Sequence, residues 1–195
     1  KQMQCWRRSR RANRWFGTVT DRPRRIRLPH GRDVLIADNK LINGCIWKFG
    51  EGAVTVMDNE IISHLPYENR ALLLVHAGEG VVQNNIFRRV TDDPLPLPEG
   101  SAKPDDHPAC IVNAGSGDRR LFSGNQIEGW TTALRMGSRA QGDTPPRIVV
   151  RDNLTDAEMR VEGAPETYLL RASGNLDLET LRECPVRRSE RRSKN

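Results

Sequence analysis

Val-Leu-Ile-Ala-Asp-Asn-Lys-Leu-Ile at 34–42 and Val-Thr-Val-Met-Asp-Asn-Glu-Ile-Ile at 54–62 are one phrase written twice, twenty residues apart. Each copy is a short alternating apolar run, then Asp-Asn, a variable residue and a branched aliphatic. Self-similarity at a period near twenty marks an architecture of stacked repeats, in which one supersecondary unit buries its apolar face only against its neighbours. Alternation of apolar and polar residues predicts strands. Asp and Asn suit the turn between them, because they tolerate left-handed backbone and bond to it locally.

The phrase recurs in weaker form downstream, as Asn84-Asn85-Ile86, Asn125-Gln126-Ile127, Asn153-Leu154 and Asn175-Leu176. The repeat-turn positions are therefore Asn39, Asn59, Asn84, Asn125, Asn153 and Asn175, spaced by 20, 25, 41, 28 and 22 residues. The wide gap holds residues 91–108, with five Pro and four Asp, and a Pro-Leu-Pro-Leu-Pro run at 94–98 that continues neither a central strand nor a helix. Removing that insertion restores the period. Counting back three positions from each Asn gives Ile36, Val56, Val81, Phe122 and Val150, an apolar column expected to be core.

A second motif lies between the Asn turns. Cys45-Ile-Trp-Lys-Phe-Gly-Glu-Gly52 matches Leu73-Leu-Val-His-Ala-Gly-Glu-Gly80, and Cys110-Ile-Val-Asn-Ala-Gly115 and Ala133-Leu-Arg-Met-Gly137 follow the same plan. Each repeat thus offers three short strands separated by a Gly turn and an Asn turn. On these residues the chain resembles the pectate-lyase-like repeat proteins, over most of 33–180. The resemblance implies an all-β, right-handed parallel β-helix (a solenoid) of about five to six short coils with terminal capping segments. It also implies carbohydrate as the ligand class, favours an extracellular or cell-surface location, and raises calcium as a cofactor if the chain is a lyase.

Charge divides the chain in three. Residues 1–32 hold eleven Lys and Arg against one acid, Asp21; residues 182–195 hold six against two; the body between them carries fourteen basic and twenty-two acidic side chains. An acidic body between basic ends argues against nucleic acid as partner, since a nucleic-acid surface collects its basic groups on the fold itself. Residues 1–16, with Met3, Trp6, Trp15 and Phe16 among arginines, read as a basic arm or as a helix capping one end of the stack. The arm version would use Arg7, Arg8, Arg10, Arg11 and Arg14 on nucleic acid or an anionic surface. Residues 176–184 read as a short helix stopped by Pro185, with Leu178 and Leu181 closing the other end, and 182–195 as a basic tail. The first residue is Lys1 and the nearest methionine Met3, so the chain is expected to belong to a longer parent with other domains. No apolar run approaches the ~18–20 residues a membrane-spanning helix needs. The four cysteines form no metal-binding spacing, and Cys45 and Cys110 are expected to be small buried hydrophobes.

If Trp47, Val75 and Val112 point inward, then Lys48, His76 and Asn113 point outward from one sheet, with Arg135 over the same face, stacked at about 4.8 Å per coil. Such a row suits an acidic polysaccharide; a merely solvated sheet face has the same composition. Polygalacturonase-like enzymes of this fold carry Asn-Thr-Asp, Asp-Asp, Gly-His-Gly and Arg-Ile-Lys signatures. Here Asp92-Asp93 and Asp105-Asp106 fall in the Pro-rich insertion, His30-Gly31 precedes them, and no Arg-Ile-Lys occurs. Two-carboxylate hydrolysis needs both acids at a fixed separation on rigid elements. The favoured expectation is a non-catalytic structural or carbohydrate-binding module with no resident metal; the alternative is a polysaccharide lyase or hydrolase using Lys48, His76 and Arg135. The fold expectation is checked by far-UV circular dichroism, which should be dominated by β-structure; a mainly helical spectrum would contradict it.

Overall fold

Strand periodicity and turn chemistry predict coils, and a computed structural model shows them stacked as a parallel β-solenoid. It describes residues 13–15, 25–28, 33–49, 52–64, 73–76, 79–90, 92, 108–138, 144–163 and 165–189. One sheet runs β1 (Asn13–Trp15), β3 (Val34–Ala37), β6 (Val54–Met57), β9 (Gly80–Gln83), β12 (Arg119–Ser123), β15 (Arg147–Arg151) and β18 (Leu169–Ser173). A second runs β4 (Lys40–Ile42), β7 (Glu60–Ser63), β10 (Ile86–Arg89), β13 (Gln126–Glu128), β16 (Leu154–Thr155) and β19 (Leu176–Asp177). The third runs β2 (Arg25–Leu28), β5 (Cys45–Lys48), β8 (Leu73–His76), β11 (Cys110–Ala114), β14 (Thr132–Ser138), β17 (Glu158–Glu162) and β20 (Val186–Ser189). They are called here the first, second and third sheets. Neighbouring strands pair in parallel throughout, so consecutive coils advance by one strand in every sheet. Among the described residues the only helical segment is one 3₁₀ turn, Pro165–Thr167.

The core is a set of inward columns. In the first sheet Ile36, Val56, Val82, Phe122 and Val150 stand in register, all buried. In the second, Leu41, Ile61, Phe87 and Ile127 do the same. In the third, Ile46, Leu73, Cys110, Leu134 and Met159 form one such column. Cys45 is buried as well, so both Cys45 and Cys110 pack as small hydrophobes.

At the corner between the first and second sheets, Asn39, Asn59, Asn85, Asn125, Asn153 and Asn175 form a buried ladder. Oδ1 of Asn59 accepts the backbone N–H of Asn39 at 3.1 Å and its Nδ2–H at 2.8 Å. The same pair of bonds repeats from Asn59 to Asn85, Asn85 to Asn125, Asn125 to Asn153 and Asn153 to Asn175, at 2.8–3.2 Å. Each Nδ2 also faces a carbonyl oxygen, for example Asn85 to Gln83 at 2.9 Å and to Val56 at 3.0 Å, which settles the orientation of the amide. A buried corner full of backbone polar groups is thereby satisfied without water.

The ladder corrects one sequence position. Asn84 is the residue before the ladder asparagine, and it takes φ 54°, as Asp38, Asp58 and Asp152 take φ 55–56° and Gly124 and Gly174 take 63° and 65°. In Asn84-Asn85 both residues are chemically fit for either place, so the sequence leaves a one-residue ambiguity. The shift puts Val82, not Val81, in the core column. Val81 faces outward and is half-buried.

A second slip follows from the Gly-Glu-Gly match. Register pairs Lys48 with Val75 and Trp47 with Leu74, so Lys48 points inward and Trp47 outward. The connection from Lys48 to Val54 is one residue longer than the one from Val75 to Gly80; Gly52 precedes β6, whereas Gly80 opens β9.

The ends also differ from expectation. Within the basic N-terminal region 1–32, residues 13–15 of the stretch read as arm or capping helix and residues 25–28 beyond it are strands β1 and β2, paired with β3 and β5. The rest of that segment, and nearly all of the 91–108 insertion, lies outside the described residues. Residues 176–184 open as strand β19 and continue as a turn, not as a helix. Asp177 Oδ1 accepts from the N–H groups of Glu179 and Thr180 and from Thr180 Oγ1, which holds its carboxyl below the usual range. Leu181 takes φ 53° and the chain doubles back, with Cys184 N–H donating to Asn175 O at 2.7 Å. Leu181 is 64 % exposed and caps nothing. Beyond it, Val186–Ser189 pairs with β17 as β20 in the segment read as a tail.

Replacing Asn85 with Ala removes two accepted and several donated bonds and strands buried partners, a loss expected at about 3 kcal/mol. Asn84→Gly, at positive φ, should be near neutral. Denaturant unfolding of the two variants checks the assignment; equal losses would contradict it.

Candidate functional site

The outward face of the first sheet differs from that of the second. In the second sheet, outward residues in register pair by opposite charge: Lys40 with Glu60 at 2.7 Å, and Arg88 with Glu128. In the first sheet, Arg119 stands in register with Arg147. Two more arginines flank them on the same face, Arg151 at the far end of β15 and Arg171 on β18, in register with Val149. Between these rows Val81, Leu121 and Val149 form a half-buried apolar floor, one residue per coil. Together with Glu79, Gly80, Arg120 and Ser173, these residues line an open groove of about 660 Å³.

Compensation within the groove is slight. Arg119 lies 4.0 Å from Glu79 with both side chains largely in solvent, and Arg151 lies 3.7 Å from Asp152. Exposed pairs of this kind contribute little. Arg147 and Arg171 enter no ion pair among the described residues. Like charges in register on adjacent strands repel, so the face carries a local excess of positive charge among the described residues.

Behind the groove two cations, Arg120 and Lys48, are buried in the core among the described residues. Arg120 alternates inward from Arg119 and occupies the column of Val34, Val54, Gly80 and Ile148. It is 2 % exposed. Gly80 gives it room: a Cβ there would collide with Arg120 Nη1. Arg120 Nη2 donates to Asn113 O at 2.9 Å and lies 3.3 Å from Asp118 Oδ2. Among the described residues its Nε and Nη1 have no hydrogen-bond partner. Burial pulls the guanidinium's pKa down, and the carboxylates of Asp118 and Glu79 push it back up. Lys48, also fully buried, donates from Nζ to Phe49 O at 2.7 Å. Burial, and then the charge of Arg120, lower its pKa.

The row proposed from sequence is not one row. His76 and Asn113 are in register on adjacent coils. Lys48 belongs to the inward column with Val75 and Val112. Arg135 is in register with Ile111 and Arg160, two residues out of phase with Asn113, which is itself buried. Arg135, Arg160 and Arg187 do form a stack on the third sheet, but there Glu158 binds Arg160 at 2.6 Å and Arg187 at 3.7 Å. The groove arginines were missed, although a signal exists: Arg119 and Arg147 both lie six residues before a ladder asparagine, Asn125 and Asn153.

Among the described residues no three or more His, Cys, Asp or Glu side chains come together as a metal site, and no helix is long and apolar enough to cross a membrane. No family profile, curated protein or solved structure matches the chain.

The Lys48 pKa has a checkable consequence. Its folded value lies below the ordinary 10.5, so in that window the unfolded chain holds more protons than the folded one. The Lys48 contribution to stability should therefore rise as pH climbs through the folded value toward 10.5. Unfolding midpoints from neutral to alkaline pH should rise in the wild type relative to Lys48→Met, a difference that cancels the opposing contributions of the raised Cys110, Cys184 and Tyr168 groups shared by both. Parallel profiles for the two proteins would contradict the assignment.

Proposed function

We propose that this chain is a non-catalytic β-solenoid module of a larger protein that binds an anionic polysaccharide in the arginine groove. The observation that carries the reading is the in-register pair Arg119 and Arg147, with Arg151 and Arg171, around the apolar floor of Val81, Leu121 and Val149. Guanidinium forks fit carboxylate or sulfate in bidentate geometry. An apolar strip between them suits the C–H faces of sugar rings, as ligand sites commonly combine apolar lining with a few placed polar groups. The columns run along the solenoid axis, so the charges repeat at about 4.8 Å per coil. A linear polyanion lying along the axis meets that spacing.

The sequence resemblance to pectate-lyase-like proteins supports carbohydrate as the ligand class. A lyase or hydrolase reading needs a base beside the bound sugar. The residues suggested for that role, Lys48, His76 and Arg135, do not share a column, and Lys48 is enclosed in the core. The binding reading therefore uses fewer assumptions than the catalytic one.

Calorimetric titration with polygalacturonate oligomers should show binding that weakens by about tenfold or more as salt rises through the range that screens exposed charges. Neutral dextran should not bind. Arg147→Ala and Arg171→Ala should each weaken binding several-fold with little change in stability, since both side chains are solvent-facing. Release of unsaturated or reducing-end products during the titration would overturn the non-catalytic part. Equal affinity for polygalacturonate and dextran would overturn the groove.

A further inference from the structure

A buried arginine in a column of Val and Ile asks for a reason. An apolar side chain of similar volume generally serves a core as well or better than a buried ion, and Ile148 in register on one side, with Val54 and Val34 beyond Gly80 on the other, shows what the column otherwise takes. Among the described residues Arg120 lacks partners for two of its nitrogens, and a side chain at Gly80 would press on its Nη1. What it does reach is one turn. Nη2 holds the carbonyl of Asn113, at the end of β11, and the carboxylate of Asp118, at the other side of the turn. The same Asp118 Oδ2 accepts Gly115 N–H at 2.7 Å, closing the turn on itself.

That turn supports the groove directly. Asp118 O accepts the N–H of Arg147 at 2.8 Å, at the first residue of β15. Gly117 N–H and Ser116 Oγ both donate to Thr144 O, at 2.8 and 2.9 Å, tying the turn to the segment that leads into β15. Asp118 is also followed at once by Arg119, the first residue of β12. Arg119 and Arg120 are successive strand residues and so face opposite sides of the sheet. A one-residue slip in the turn would exchange them, moving the outward arginine into the core and the inward one out.

We propose that Arg120 is the positioning residue of the groove: from inside the core it fixes the 115–118 turn, and the turn sets where Arg119 and Arg147 stand. The inference rests on the groove being the binding site. Arg120 borders the groove but is only 2 % exposed, so its part is to position the arginines that face the ligand. Its buried charge is tolerated because it holds one turn in one register, which an apolar side chain would not do. Asp118 is the second member of the device, since it receives Arg120, Gly115 and Arg147 together.

The test is Arg120→Met, in the full chain, with polygalacturonate as probe and Arg147→Ala as the second arm of a double-mutant cycle. The expected result is a folded protein with a β-type spectrum and cooperative unfolding, but about tenfold weaker binding. Arg147→Ala should cost clearly less in the Arg120→Met background than in the wild type, because Arg147 is already displaced there. Should Arg120→Met fail to fold, Asp118→Asn releases the same turn by a milder change and is expected to show the same non-additivity. Undiminished affinity in a folded variant, or strictly additive losses, would overturn the positioning role while leaving the groove standing. Absence of polygalacturonate binding in the wild type would instead remove the groove reading, and this inference with it.

Discussion

The asparagine ladder is the constraint on which the rest of the solenoid depends. Where each coil turns from the first sheet into the second, backbone N–H and C=O groups are carried into the interior, and an unpaired buried group is costly. One side chain type answers with two donors and an acceptor in a plane, and it does so at every coil because the coils superpose. Asn39 through Asn175 therefore fix the phase of the whole stack. Every inward column, and every outward one, is counted from them.

Phase is what turns a repetitive scaffold into a specific surface. Six residues before two successive ladder positions stand Arg119 and Arg147; four before three of them stand Val81, Leu121 and Val149; two before Asn153 stands Arg151. Because side chains alternate, these offsets are all even and all face out. The odd offsets face in, and Arg120 at an odd offset is the exception that ties the core to the surface. The second sheet shows the contrasting solution, with Lys40–Glu60 and Arg88–Glu128 neutralising their own columns. The first sheet compensates its positive charge only through the exposed pairs Arg119–Glu79 and Arg151–Asp152, and that asymmetry is what the proposed binding face rests on.

Much of the fold was legible because the ladder cannot be built from other residues, so the chain repeats itself there. The coils, the Asn corner and four of the five residues named for the first sheet's inward column, Ile36, Val56, Phe122 and Val150, follow from alternation and spacing alone. The site was less legible for reasons of phase. Asn84-Asn85 offers two residues that both accept positive φ, and choosing the first moved Val81 into the core on paper and hid the groove floor. The Gly-Glu-Gly match suggested equal connections where one is a residue longer, which exchanged the faces of Trp47 and Lys48 and drew attention to the third sheet. The segment at 176–184 carries leucines at helical spacing, yet Asp177 gathers three donors and commits the backbone to a turn. Local hydrogen bonding outweighed a weak periodic signal.

The central claim is that the arginines of the first sheet, and not those of the third, receive the anion. Arginine Nε–H resonances report this residue by residue in one NMR titration with polygalacturonate oligomers. The account predicts large shifts for Arg119, Arg147, Arg151 and Arg171, with Arg135 and Arg187 unchanged. Shifts confined to Arg135, Arg160 and Arg187, or spread evenly over all exposed arginines, would contradict it.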